Sequence, residues 1–207
     1  DEIFSALMSI PTISLVTDLK HLFDSKTGIY ANPSGSGRTW ERPVSMELIH
    51  ADGTAGFQID AGMRIRGSSS ANLNFPKHGF RFFFRSQYGD PVLKYPLFGN
   101  EGVDEFVRID LRTSQSWAWQ NGSTRNNLMN REVFYRDTQR DLGQPYTRSR
   151  YYHLYLNGQY WGLYQSEERP DATYAVSYFG GEREDYDVIK QPGVLSDFLT
   201  DGTLDAW

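Results

Sequence analysis

Hydrophobic and polar residues alternate along much of the first half of the chain, with the period of two expected of strands that bury one face. Val44, Met46 and Leu48 alternate with Ser45 and Glu47. After the turn signal Ala51-Asp52-Gly53, residues Phe57, Ile59, Ala61, Met63 and Ile65 share one parity, with Arg64 and Arg66 on the other. Phe80, Phe82 and Phe84 interleave with Arg81, Phe83 and Arg85 in the same way. These runs predict a strand ending near Arg66, a polar loop, and a second strand through Arg85. Shorter strands are expected at Pro11–Asp18 (PTISLVTD), Phe106–Leu111 (FVRIDL) and Val188–Lys190. Arg150–Leu156 and Gln159–Gln165 flank Asn157-Gly158, the preferred type I′ pair between alternating strands, and so predict a hairpin.

Helical periodicity is rarer. Leu19–Gly28 reads as a short helix or turn, and Asn32–Arg42, with PSGSG inside it, as a surface loop. The longest helical pattern is Arg125–Leu142, with Ser123 or Thr124 as a cap and Gly143 and Pro145 as its close. Leu128, Glu132, Tyr135, Gln139 and Leu142 fall on one stripe, flanked by Met129 and Val133, and that stripe is expected to face inward. A glutamate within it needs a partner, because a buried carboxylate is costly alone. Pro170 starts a second, shorter helix to Phe179, ended by Gly180-Gly181. The resulting expectation is an α+β fold: an antiparallel sheet with one main packed helix, in a single domain over residues 1–207.

Composition narrows the function. At 207 residues with net charge −5, from 21 basic and 26 acidic side chains, the chain lacks the basic excess of a nucleic-acid binder. No apolar run approaches the ~18 residues of a membrane span. The absence of cysteine removes disulfides, thiolate catalysis and Cys-type zinc sites. His21, His50, His78 and His153 are never spaced i, i+4, and no Gly-x-Ser-x-Gly elbow occurs. Aromatic residues make up 15% of the chain and glycines number 19, which favours a sheet-rich fold.

The candidate chemistry lies in the loop between the two arginine-studded strands. Gly67, Ser68, Ser69 and Ser70 allow main-chain N–H groups to converge, and hydroxyls with Lys77 nearby suit an anion. The plain alternative is a surface loop with a solvated lysine. Trp117 and Trp119, in the polar stretch Ser114–Gly122, support a different class, a non-catalytic carbohydrate- or surface-binding module in which indoles stack on sugars.

Five stretches carry a family resemblance: RIRGSSS (Arg64–Ser70), KHGFRFFFR (Lys77–Arg85), YGDPVLKYPLF (Tyr88–Phe98), NREVFYRDTQRDLG (Asn130–Gly143) and YLNGQYWGLYQSEE (Tyr155–Glu168). In this order they resemble the CotH family, the spore-coat-H-like atypical kinases, over roughly Pro11 to Gln191. The resemblance implies the nucleotide side of a divergent protein-kinase fold, with ATP and Mg or Mn as cofactors and Ser or Thr of partner proteins as acceptor. It also implies an exported bacterial protein acting on cell-surface or coat components.

Carried onto this chain, the resemblance makes Arg66 and the amides of Gly67–Ser70 a phosphate cradle, with Lys77 on the α/β-phosphates. Glu132 would orient Lys77, the alternative being a structural ion pair between Glu132 and an arginine. Glu167 or Glu168 would stand at the cleft rim near metal or ribose, and Val188 and Lys190 would line a connector. Two departures stand out. Gly79 replaces a serine common in the family after Lys-His, and Leu199–Trp207 holds no counterpart of the family's catalytic and metal-binding acids. The polypeptide is therefore expected to be part of a longer kinase-like protein and catalytically incomplete alone.

Overall fold

The structure, a computed structural model, describes residues 2–67, 71–114, 128–189 and 199–205. It divides into two compact parts, Asp1–Glu167 and Glu168–Trp207.

In the first part, seven strands close into a barrel. They are β1 (Thr12–Val16), β2 (Arg42–Ile49), β3 (Gln58–Arg66), β4 (Gly79–Phe83), β7 (Arg108–Arg112), β8 (Tyr151–Leu156) and β9 (Gln159–Glu167), in the order β1-β2-β3-β4-β7-β9-β8. All neighbours are antiparallel except β1 and β8, which run parallel with Thr12 opposite His153 and Leu15 opposite Leu156. That pairing turns the expected antiparallel sheet into a closed surface. Two short strands, β5 (Leu93–Lys94) and β6 (Glu105–Phe106), form a separate ribbon, and short helices α1 (Glu2–Leu7) and α2 (Leu19–Phe23) flank β1 in sequence.

The alternation read from the sequence decides which side chains fill the barrel. Ile13, Leu15, Met46, Ala61, Met63, Phe80, Phe82, Ile109, Leu111 and Leu154 are fully buried in one core. The intervening residues Arg64, Arg66, Arg81, Asp110 and Arg112 therefore lie on the outer wall, since successive strand residues point to opposite faces. Asn157 and Gly158 both take positive φ, at 49° and 77°, as the type I′ turn between β8 and β9 requires.

The second part contains α4 (Ala172–Phe179), β10 (Val188–Ile189) and β11 (Leu199–Asp201). The Asp171 side chain caps α4 by accepting from the Tyr174 amide at 3.1 Å, and Gly180, at φ 79°, ends it. Asp201 accepts from the Ala172 amide at 3.2 Å and pairs with Arg183 at 3.0 Å, which ties the strand pair to the helix.

The main helix, α3, spans Arg131–Asp141, starting later than the sequence pattern predicts; residues 115–127 lie outside the described ones. Its orientation also differs. Tyr135 and Leu142, expected inward, are exposed, as are Leu128, Gln139 and Phe134, while Arg136 is the buried residue. The physical reason is the surface beneath it: Arg136 donates to Glu167 of β9 at 2.6 Å and Glu132 accepts from Arg112 of β7 at 2.7 Å. Glu132 and Arg136, one turn apart, face a polar wall, so the charged side of this helix turns inward. Arg136→Ala removes the buried charge-assisted bond to Glu167 and leaves that carboxylate to Arg112 and the more distant Arg66, at an expected cost on the order of 2 kcal/mol. Phe134→Ser, on the exposed side, should stay within about 0.5 kcal/mol of the parent. Urea unfolding of the two variants checks this, and the reverse ranking would restore the apolar stripe as the packed face.

Candidate functional site

Lys77 lies on the approach to β4. Its ammonium reaches over the barrel rim onto the inner side of β9, donating to the Leu163 carbonyl at 2.8 Å and standing 4.5 Å from the centroid of the Tyr164 ring. Tyr164 is fully buried and stacks on Phe80, and its hydroxyl donates to the His78 carbonyl at 2.9 Å, which fixes the backbone next to Lys77. Tyr30 packs against His78 and Trp161 at ring separations of 4.8 and 5.7 Å, and the Trp161 indole N–H donates to the Tyr30 hydroxyl at 2.6 Å. This surround is largely aromatic. Burial pushes the Lys77 amine down to about 8 and the Tyr30 phenol up to about 12, because each charged form loses hydration.

Arg66, expected beside Lys77 as a phosphate ligand, turns to the other side of the wall. Its Nε stands 2.9 Å from Asp110 Oδ2, an ion pair without hydrogen-bond alignment, and its Nη1 is 3.7 Å from Glu167. Arg81 grips Asp110 through two bonds of 2.6 and 2.7 Å. Arg112 bridges Glu167 at 2.9 Å and Glu132 at 2.7 Å, and Arg136 pairs with Glu167 at 2.6 Å and Glu132 at 3.5 Å. Four guanidiniums and three carboxylates thus form one continuous network that joins β3, β4, β7, β9 and α3. Planar arginine forks suit such partly buried carboxylates.

Sequence-expected residues therefore separate into two groups. Arg66, Glu132 and Glu167 are brought together, by arginines the sequence reading did not single out. Lys77 stands apart from them, with Leu163 and Tyr164 as its partners, and it forms no ion pair with Glu132 among the described residues. Gly67, at φ 85°, turns the chain at the end of β3 in a conformation a side chain would strain. Ser68, Ser69, Ser70 and Lys190, and the tryptophans Trp117 and Trp119, lie outside the described residues. Glu168 is buried and accepts from the Tyr178 hydroxyl, and Val188 pairs with Asp201. His78 is buried against Tyr30. Tyr30, Asp110, Arg136 and Gly162 escaped notice because their roles come from contacts remote in sequence.

Among the described residues no helix is long and apolar enough to cross a membrane, and no group of three or more His, Cys, Asp or Glu is gathered to hold a metal ion. No curated protein matches the chain. The family model described as CotH kinase protein matches residues 63–195, from the middle of β3 past β10, and so covers both the Lys77 seat and the arginine–carboxylate network. The chain belongs to the CotH kinase protein family.

Proposed function

We propose that the barrel rim at Lys77 holds the phosphates of ATP, as the nucleotide side of an atypical kinase that phosphorylates Ser or Thr of partner proteins. One observation carries this reading: Lys77 is a partly buried ammonium whose described partners are a carbonyl and a ring face, with no carboxylate among them. A buried charge without a counter-ion is costly, and an anionic ligand offsets that cost. Phosphoryl transfer needs such a cation, because catalysis there rests on positioning and on neutralising oxygens that gain charge. The segment Gly67–Ser70, directly after β3, supplies further main-chain donors in this reading.

The ion pairs of Arg66, Glu132 and Glu167 support a supporting role for these three: they fasten the end of β3 and α3, which leaves the Leu163 carbonyl and the Tyr164 ring to orient Lys77. Among the described residues no group of three or more His, Asp or Glu is gathered for the Mg or Mn that would accompany the nucleotide. An exported bacterial protein acting on surface or coat components is the setting this reading adopts.

Two outcomes test it. Mg-ATP binding measured by calorimetry should weaken at least ~10-fold in Lys77→Met, the loss expected of a charge-assisted contact. In the parent the affinity should fall as pH rises through about 8, where the free amine gives up its proton. An affinity that ignores both the substitution and the pH removes Lys77 from the site.

The same amine sets a stability signature. Its folded value lies below the ordinary lysine value of 10.5, so the cost of burying the charge is complete below pH 8 and fades as pH climbs towards 10.5. Lys77→Met should therefore raise the melting temperature most at pH 7, with the gain shrinking by pH 10. A gain that is constant with pH would mean that the ammonium is solvated.

A further inference from the structure

β9 carries one residue more than β8 opposite it. Leu154 pairs with Gly162 and Tyr155 with Tyr160, so Trp161 is the extra residue of a β-bulge. Bulges re-aim side chains and increase local twist. Here the bulge directs the Trp161 indole to the Tyr30 hydroxyl, and it leaves Gly162 opposite Leu154, which is fully buried in the barrel. Position 162 therefore faces the interior at the rim, where a side chain would ordinarily plug the opening.

What a side chain there would meet is specific. A Cβ at Gly162 would lie 2.9 Å from the Lys77 Nζ and 3.5 Å from its Cε, with no other heavy atom of the described residues, its chain neighbours aside, within 4 Å. Gly62, for comparison, is crowded by the Tyr88 ring and the Glu41 carboxylate, and Gly158 by nothing at all. The volume left empty by the missing side chain of Gly162 is thus occupied by the lysine ammonium. The next residue in the strand, Leu163, supplies the carbonyl that ammonium donates to.

We propose that Gly162 is a positioning residue for Lys77: the bulge at Trp161 and the absent side chain together open the seat that holds the amine at the rim, and any larger residue expels it. This rests on the reading of Lys77 as the phosphate-binding cation, but the seat itself can be tested without nucleotide. The experiment follows the Lys77 side chain by NMR titration in protein carrying ¹³C-labelled lysine, assigned by its loss in Lys77→Met. Gly162→Ala should move the midpoint from near 8 up towards the ordinary lysine value, because the displaced amine enters water. Gly158→Ala is the control for backbone strain: Gly162 has φ 107° and Gly158 φ 77°, both positive, but a Cβ at Gly158 meets no described non-neighbouring atom within 4 Å. It should leave the midpoint in place.

A midpoint unchanged in Gly162→Ala overturns the proposal. Should that variant fail to fold, recovery of folding in Lys77→Ala/Gly162→Ala supports the seat, whereas failure in both backgrounds assigns Gly162 to the backbone alone and overturns it. Mg-ATP calorimetry separates this result from the functional reading. If the parent binds nucleotide, Gly162→Ala should weaken binding ~10-fold in the Lys77 background and hardly at all in Lys77→Met. A parent that binds no nucleotide removes the ATP reading, and the titration still decides the seat.

Discussion

The parallel pairing of β1 with β8 is the constraint on which the rest depends. Without it the seven strands would be an open sheet with two raw edges, and inside and outside would carry no fixed meaning. With it, each strand residue belongs either to an enclosed interior or to an outer wall. The interior is filled by aliphatic and aromatic side chains in one cluster. At the rim a polar group can lean onto that interior while keeping access to water, and Lys77 does so over Tyr164.

The outer wall solves a different problem. An arginine-rich strand face cannot pack against an apolar helix without stranding its charges, and α3 answers with Glu132 and Arg136 rather than with leucines. Each buried carboxylate is shared: Glu167 serves Arg112, Arg136 and, more distantly, Arg66, while Asp110 serves Arg66 and Arg81. Such networks contribute less net stability than their short distances suggest, because desolvation offsets much of the attraction. They do impose geometry. A helix held by directional ion pairs has one register on its sheet, whereas a greasy stripe tolerates sliding.

Most of the strands were legible from period-two alternation, and the β8–β9 turn from Asn157-Gly158. Barrel closure was not, because nothing local to Thr12–Val16 or to Tyr151–Leu156 marks them as partners across some 140 residues. The orientation of α3 was misread for a related reason. A hydrophobic stripe points inward only if the seat is hydrophobic, and the seat here consists of Asp110, Arg112 and Glu167, which come from other elements. Glu132 was recognised as needing a counter-charge, and an arginine supplies it. Lys77 stood out in its loop, but the glycine beside its ammonium, Gly162, did not, since a bulge at Trp161 has no signature in the run Gln159–Glu167.

Tyr30 has a consequence for where this fold can be cut. It stands upstream of residues 63–195, the stretch matched by the family model, as do β1, β2 and the first half of β3. A fragment trimmed to the matched stretch would keep Lys77 and the arginine network yet lose two staves of the barrel and the ring that walls the amine's aromatic surround. The boundary of recognisable kinship and the boundary of a self-supporting body do not coincide here, and truncation designs should respect the second.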